Sequence, residues 1–219
     1  MTPLQFKYNI TVLMSVYNTP FQLIKRAIDS VLNQDYKDFE LIILDDGSDI
    51  DVQHQIINYA VHHENKITYL RHKNRSQATS INRGVLLSNS SYITIIDADD
   101  EYKVNHLSIC LENIQSHDLI ATTSETIVAD SSDFYVPDRH DNNKLIHVDD
   151  CILFATLFGK KEVFMKLPFQ NMYAADVDFY ERAQQNFAVK KVDTRTYIYY
   201  RNNKESLTEK IKTQSQIGN

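Results

Sequence analysis

The sequence predicts an α/β protein: a mainly parallel central sheet flanked by helices, then a smaller mixed-sheet C-terminal half. Two observations predict it. Short apolar runs in the first half of the chain alternate with segments whose apolar residues recur at helical spacing, the order of βαβ units. Polar clusters follow several of those runs, and sheets of this kind take ligands beyond the carboxyl ends of their strands.

Each element has its own signal. ITVLMS at Ile10–Ser15 is a short apolar run and reads as a buried strand. Asn18-Thr19-Pro20 stops it and opens a helix whose buried face is Phe21, Ile24, Ala27, Ile28, Val31 and Leu32. ELIIL at Glu40–Leu44 is a second strand, ended by the turn formers Asp45-Asp46-Gly47-Ser48. A helix over Val52–His62, a strand over Ile67–Leu70, a helix over Gln77–Leu87 and a strand over Tyr92–Ile96 follow. Asp97-Ala98-Asp99-Asp100 stops the last of these.

The second half is less regular. It predicts a helix over Val104–Ile114, weakly alternating strands over Ala121–Val136 and a polar loop over Asp130–Lys144. A strand over Ile152–Phe158, a helix over Asp176–Gln185 and strands over Val189–Val192 and Thr196–Tyr200 complete it. The polar stretch from Asn202 is expected to fray.

Composition excludes several function classes. Apolar residues are 42 %, enough for a sizeable core. With 23 Lys and Arg against 29 Asp and Glu, the net charge of −6 disfavours a nucleic-acid-wrapping protein. No apolar run is long enough for a membrane span and the N-terminus has no secretory h-region, so a cytoplasmic location is expected, with peripheral membrane contact left open. Cys110 and Cys151 are too few for a disulfide framework and read as packing residues. The four glycines, Gly47, Gly84, Gly159 and Gly218, cannot form G-x-G-x-x-G or a P-loop. A nucleotide would therefore be held by side chains, with a metal at its phosphates. The histidines, His72 among them, lack zinc-ligand spacing and read as surface or satisfied residues.

Asp97, Asp99 and Asp100 crowd one strand end. Crowding raises the ionisation cost of each unless a cation shares them, and Mg²⁺ or Mn²⁺ with phosphate oxygens suits that donor set. An acidic turn capping the next helix is the competing reading. An Asp at 45 or 46 could accept from a base N–H or a ribose hydroxyl, and Tyr17 could stack on a base.

ITVLMSVYNTP at 10–20, SVLNQDYKDFELIILDDGSD at 30–49 and INRGVLLSNSSYITIIDADDEY at 81–102 together resemble family 2 glycosyltransferases of the GT-A fold. FGKKEVFMKLPF at 158–169, AADVDFYERA at 174–183 and YYRNNKESLT at 199–208 are similar to the family's pre-acceptor segment, its ED-x-D-x-x-x-R helix and its closing strand and loop. The resemblance implies transfer of a sugar from a nucleotide-sugar donor, expected to be a UDP-sugar, to a hydroxyl of a glycan or other acceptor. It implies one domain over 1–219, with a donor half at 1–103 and an acceptor half at 104–219.

Carried over by position, Ser15 and Tyr17 line the base pocket and Asp46, supported by Asp45, meets the base edge or ribose. Asp97 opens the DxD pattern, Asp99 holds ribose or metal, and Asp99 and Asp100 are the ligands of Mn²⁺ or Mg²⁺. Asp176 is the general base of an inverting transfer. Arg75, Arg83 and Arg201 are candidates for the diphosphate. Ala175 stands where the family has Glu, which bears on acceptor choice and on activity. Two other readings accompany this one. The first is a degenerate nucleotide-sugar-binding partner of another glycosyltransferase. The second is a sugar nucleotidyltransferase, which SVYNTP disfavours because it lacks a Gly-rich loop.

Overall fold

The computed structural model describes residues 7–141 and 143–201. Strand β1 (Tyr8–Val16) pairs in parallel with β2 (Phe39–Asp45) on one side and β4 (Ser90–Asp97) on the other. β3 (Ile67–Arg71) adds in parallel beyond β2. Helices α1 (Phe21–Leu32), α2 (Ile50–Val61) and α3 (Gln77–Leu87) make the crossovers. β1 is buried on both faces: Val12 and Met14 join Ile24, Ile28 and Leu41 in one cluster, while Leu13 joins Leu44, Ile81 and Val85 in the other. That is why its sequence is a continuous apolar run rather than an alternating one.

Gly84 sets the distance of α3 from the sheet. A Cβ there would meet Leu44 Cδ1 at 2.7 Å and Leu13 Cδ2 at 2.8 Å. Two residues earlier, the Asn82 side chain donates to Phe169 O (2.8 Å) and accepts from Phe169 N (2.9 Å), tying α3 to a distant loop. The N-x-G stretch therefore does packing work.

The C-terminal half extends the sheet with antiparallel β10 (Leu157–Lys160), then β6 (Leu119–Ala121) and β11 (Val189–Lys191). α4 (His106–Ile114) buries its own Leu107 and Cys110 in the cluster that holds Val12 and Met14. A small sheet of β5 (Glu101–Tyr102), β12 (Tyr197–Tyr200) and β7 (Ser124–Ile127) abuts the acidic loop. α5 (Lys161–Lys166) and α6 (Ala175–Gln184) complete the described chain.

Three expectations need correction or delimiting. Residues 154–156 form a 3₁₀ turn, not part of a strand, because Thr156 N and Oγ1 both donate to Leu153 O while Leu153 N donates to Thr156 Oγ1. Residues 130–144 are not wholly loop: β8 (Tyr135–Pro137) pairs with β9 (Leu145–His147) as a hairpin whose strands are too short to show alternation. The expected fraying from Asn202 lies outside the described residues. Among the described residues no helix is long and apolar enough to cross a membrane.

Candidate active site

Register brings the predicted positions to one rim. Ser15 lies opposite Asp97 on β4, and Val16 lies opposite Asp45 on β2. Tyr17 follows, 54 % exposed. The loops after β1 and β2 are tied together: Asn18 N donates to Ser48 Oγ (3.0 Å) and Asp49 N donates to Asn18 Oδ1 (2.7 Å). Gly47 adopts φ +88°, and a Cβ there would stand 2.9 Å from Asn74 N, so the 72–76 loop packs directly on this turn.

Asp45 is fully buried. Its Oδ1 accepts from Ser48 N (2.7 Å), and its Oδ2 accepts from the Tyr69 hydroxyl and lies 3.4 Å from Arg71 Nε. Asp46 takes on a backbone-holding role that was not legible in its motif. Its oxygens accept from Arg75 N (2.8 Å) and Ser76 N (3.0 Å), and Oδ1 lies 3.3 Å from His72 Nδ1. It thereby fixes the loop that opens α3. The Arg75 side chain is exposed on that loop, and Arg83 is half-buried within α3.

The acidic loop is built from both halves of the chain. Asp97 Oδ1 accepts from Gln77 Nε2 (2.8 Å) and its Oδ2 from the Tyr197 hydroxyl (3.4 Å). Burial, together with the charges of Asp99 and Asp176, pushes its carboxyl up to about 7. Asp100, 1 % exposed, accepts from the Tyr197 hydroxyl and from Tyr200 N (2.8 Å). Burial and its acidic neighbours still hold its carboxyl well above the usual range. Burial also raises Asp99, against the opposing charge of Arg26. Arg26 donates to the Asp99 carbonyl, stacks 3.9 Å from the Tyr200 ring centroid and lies 3.2 Å from Glu101 Oε1.

Asp176 is the second residue of α6 and accepts from Val177 N (2.9 Å). Burial pushes its carboxyl up to about 6, moderated by backbone donors and by Arg139. Its negative charge is one of the influences that raise Asp97, after burial and Asp99, so the two carboxyls lie within electrostatic reach of one another. Arg201 is 5 % exposed at the end of β12, with Nη1 3.5 Å from the Tyr199 hydroxyl.

The fold thus gathers Ser15, Asp97, Asp99, Asp100 and Asp176, with Tyr17, Asp45 and Asp46 along the same rim. Tyr197, Gln77, Arg26 and Arg139 escaped sequence reasoning. Each is a common residue on an ordinary strand, helix or loop, with only its folded neighbours to mark it. Among the described residues, no group of three His, Cys, Asp or Glu side chains is placed to hold an ion unaided. One or two carboxylates completed by phosphate oxygens remain a suitable donor set for Mg²⁺ or Mn²⁺. The carboxyls of Asp97, Asp99 and Asp100, all raised by burial and the first and last also by their acidic neighbours, are groups that a cation would relieve.

Comparison with known proteins places this geometry. The chain is 30 % identical over 132 residues to the glycosyltransferase GlyG of Streptococcus pneumoniae, a match covering 58 % of this chain and 43 % of that protein. The chain therefore spans less than half of that curated relative. Among solved structures, the mannosyltransferase PcManGT from Pyrobaculum calidifontis, in complex with GDP-Man and Mn²⁺, superposes with a TM-score of 0.69 at 17 % identity, over 88 % of this chain and 57 % of that one. S. aureus TarS 1-349 in complex with UDP-GlcNAc also gives 0.69, at 16 % identity, over 92 % of this chain and 60 % of that one. These likenesses establish the GT-A fold. The model of glycosyl transferase family 2 matches residues 11–176, from within β1 to Asp176 itself, and the chain belongs to that family.

Proposed function

We propose that the protein transfers a sugar from a nucleoside-diphosphate sugar, a UDP-sugar first, to an acceptor hydroxyl with inversion. Its donor half is 1–103 and its acceptor half 104–219. The observation that carries this is the fold's placing two buried carboxyls within electrostatic reach, Asp97 at the end of β4 and Asp176 at the start of α6, each raised by burial. A base poised near 6 is ionised at neutral pH yet basic enough to take a hydroxyl proton.

The base of the donor lies against Tyr17 and Ser15, with the Asp46-held 72–76 loop as the facing wall. Asp99 and Asp100 would hold a divalent ion, which when bound would supply positive charge against the leaving diphosphate. Arg75 and Arg201 contribute positive charge to the diphosphate. Asp176 accepts the acceptor's proton as its oxygen attacks the anomeric carbon. The bond to the diphosphate breaks from the opposite face through an oxocarbenium-like transition state, and one such displacement inverts the centre. Ligands seen with the structural neighbours support a nucleotide-sugar donor, and PcManGT was solved with Mn²⁺.

Ala175 favours a second reading, a non-transferring nucleotide-sugar-binding partner. A thermal-shift panel of UDP, GDP, CDP and dTDP, each with and without Mn²⁺, tests donor binding by mass action. Transfer assays on wild type and Asp176→Asn test the rest. The expected result is a metal-dependent shift with one nucleotide in both proteins and transfer by wild type alone. Equal transfer by Asp176→Asn overturns the base assignment. Binding without transfer by wild type selects the partner reading.

A further inference from the structure

We propose that Arg139 is a positioning residue for Asp176: it pins the first turn of α6 to the β8–β9 hairpin and so fixes the acceptor side of the site. This rests on the transferase reading above. Arg139 lies between the two hairpin strands, its side chain 19 % exposed. Its Nη1 donates to Ala174 O at 3.2 Å and lies 3.6 Å from Glu181 Oε2, while its Nη2 lies 3.5 Å from Asp178 Oδ1. One planar guanidinium therefore touches α6 on both sides of Asp176 in sequence. His140 adds a contact from Nε2 to Glu181 Oε1 at 2.9 Å.

What it holds is strained. Ala174 adopts φ 52° and ψ 46°, a left-handed conformation unfavourable for a residue with a Cβ. Such a conformation persists only where its surroundings determine it. The Ala174 carbonyl accepts both from Asp178 N (3.1 Å), which starts the helix, and from Arg139. The exit angle at Ala174 sets where the Asp176 carboxylate points, two residues on. The positive charge of Arg139 also favours the ionised form of Asp176, beside its backbone donors. A base displaced by about 1 Å can cost about 10²-fold in rate.

Removing Arg139 leaves Asp178 paired with Arg182 (2.8 Å), so α6 keeps an internal restraint and the variant is expected to fold. The experiment compares wild type, Arg139→Met and Arg139→Lys by amide hydrogen exchange, by UDP and GDP binding with Mn²⁺, and by transfer kinetics. In Arg139→Met, exchange in residues 174–178 is expected to rise about tenfold while the 96–102 loop is unchanged. Transfer is expected to fall about 10²-fold at unaltered nucleotide affinity. Lys is expected to restore part of both, because an ammonium reaches Ala174 O without bridging two carboxylates. Unchanged exchange at the start of α6, nucleotide affinity falling in step with transfer, or indistinguishable Lys and Met variants would each overturn the proposal. If wild type transfers no sugar, the transferase reading fails, and the exchange comparison still decides whether Arg139 holds α6.

Discussion

The Tyr197 hydroxyl donates to the carboxylate of Asp100, 97 residues earlier in the chain, and reaches Asp97 as well. Both partners are buried, Tyr197 fully and Asp100 to 1 % exposure. Strand β12 thus supplies the donor that lets a carboxylate sit in the acidic loop without open solvent. Tyr197→Phe removes that donor and keeps the ring. A buried acceptor that loses a partner costs about 1–3 kcal/mol, read as a lower urea midpoint. Because the lost bond favoured ionised Asp100, Mn²⁺ should also bind more weakly at neutral pH in a calorimetric titration with nucleotide present. Unchanged Mn²⁺ affinity would show that Asp100 is not a ligand.

The raised carboxyls predict an inverted pH dependence of stability. Asp97 titrates at about 7 and Asp176 at about 6 in the folded chain, both from 3.8. The folded state therefore holds these protons more tightly than the unfolded state. That stabilisation is complete below pH 3.8 and is lost as pH rises through 6 and 7. Metal-free stability should fall between about pH 4 and 7, by about 1.4 kcal/mol per pH unit for each carboxyl that is protonated in the folded state alone, read as a falling thermal midpoint. Asp97→Asn should remove much of that slope. Transfer should move the other way, rising through about pH 6 as Asp176 ionises.

The N-terminal half of the sheet was legible for a physical reason. A parallel strand buried on both faces leaves an uninterrupted apolar run, and β1 carries Val12 and Met14 to one face and Leu13 to the other. The polar residues that end such strands then mark the rim. What escaped depended on long-range pairing. Tyr197 reads as one more strand aromatic until β12 is laid beside Glu101 and Tyr102. Arg139 reads as one cation in a polar stretch until a hairpin of three-residue strands turns it onto α6. The 154–156 turn was hidden because Thr156 suits a strand and is diverted by its own hydrogen bonds to Leu153.

Gly84 gives a test of the packing assigned to the N-x-G stretch. Its Cα lies so near Leu13 and Leu44 that a Cβ would approach their methyls to 2.8 Å and 2.7 Å. Those are the ends of flexible side chains, so Gly84→Ala should fold with an overpacking cost of about 1–3 kcal/mol. Gly84→Val, adding branched bulk against β1 and β2, should exceed that cost and lower soluble yield. An Ala variant as stable as wild type, measured by urea denaturation, would show that α3 shifts away freely.

Asp46 separates two roles with one substitution. Its carboxylate accepts from the amides of Arg75 and Ser76, and an Asn has only one side-chain acceptor oxygen for that pair. Asp46→Asn turns an N–H toward a backbone N–H, so a loss of about 1–3 kcal/mol is expected, with faster hydrogen exchange in residues 72–76. If holding this loop is its whole contribution, nucleotide affinity should fall by the same factor for UDP, GDP, CDP and dTDP. If the remaining lone pairs also meet the base edge, the loss should be largest for the base that binds wild type best, and discrimination among the four should collapse. A variant that keeps both stability and discrimination would exclude both roles and move recognition of the base to Tyr17 and its neighbours.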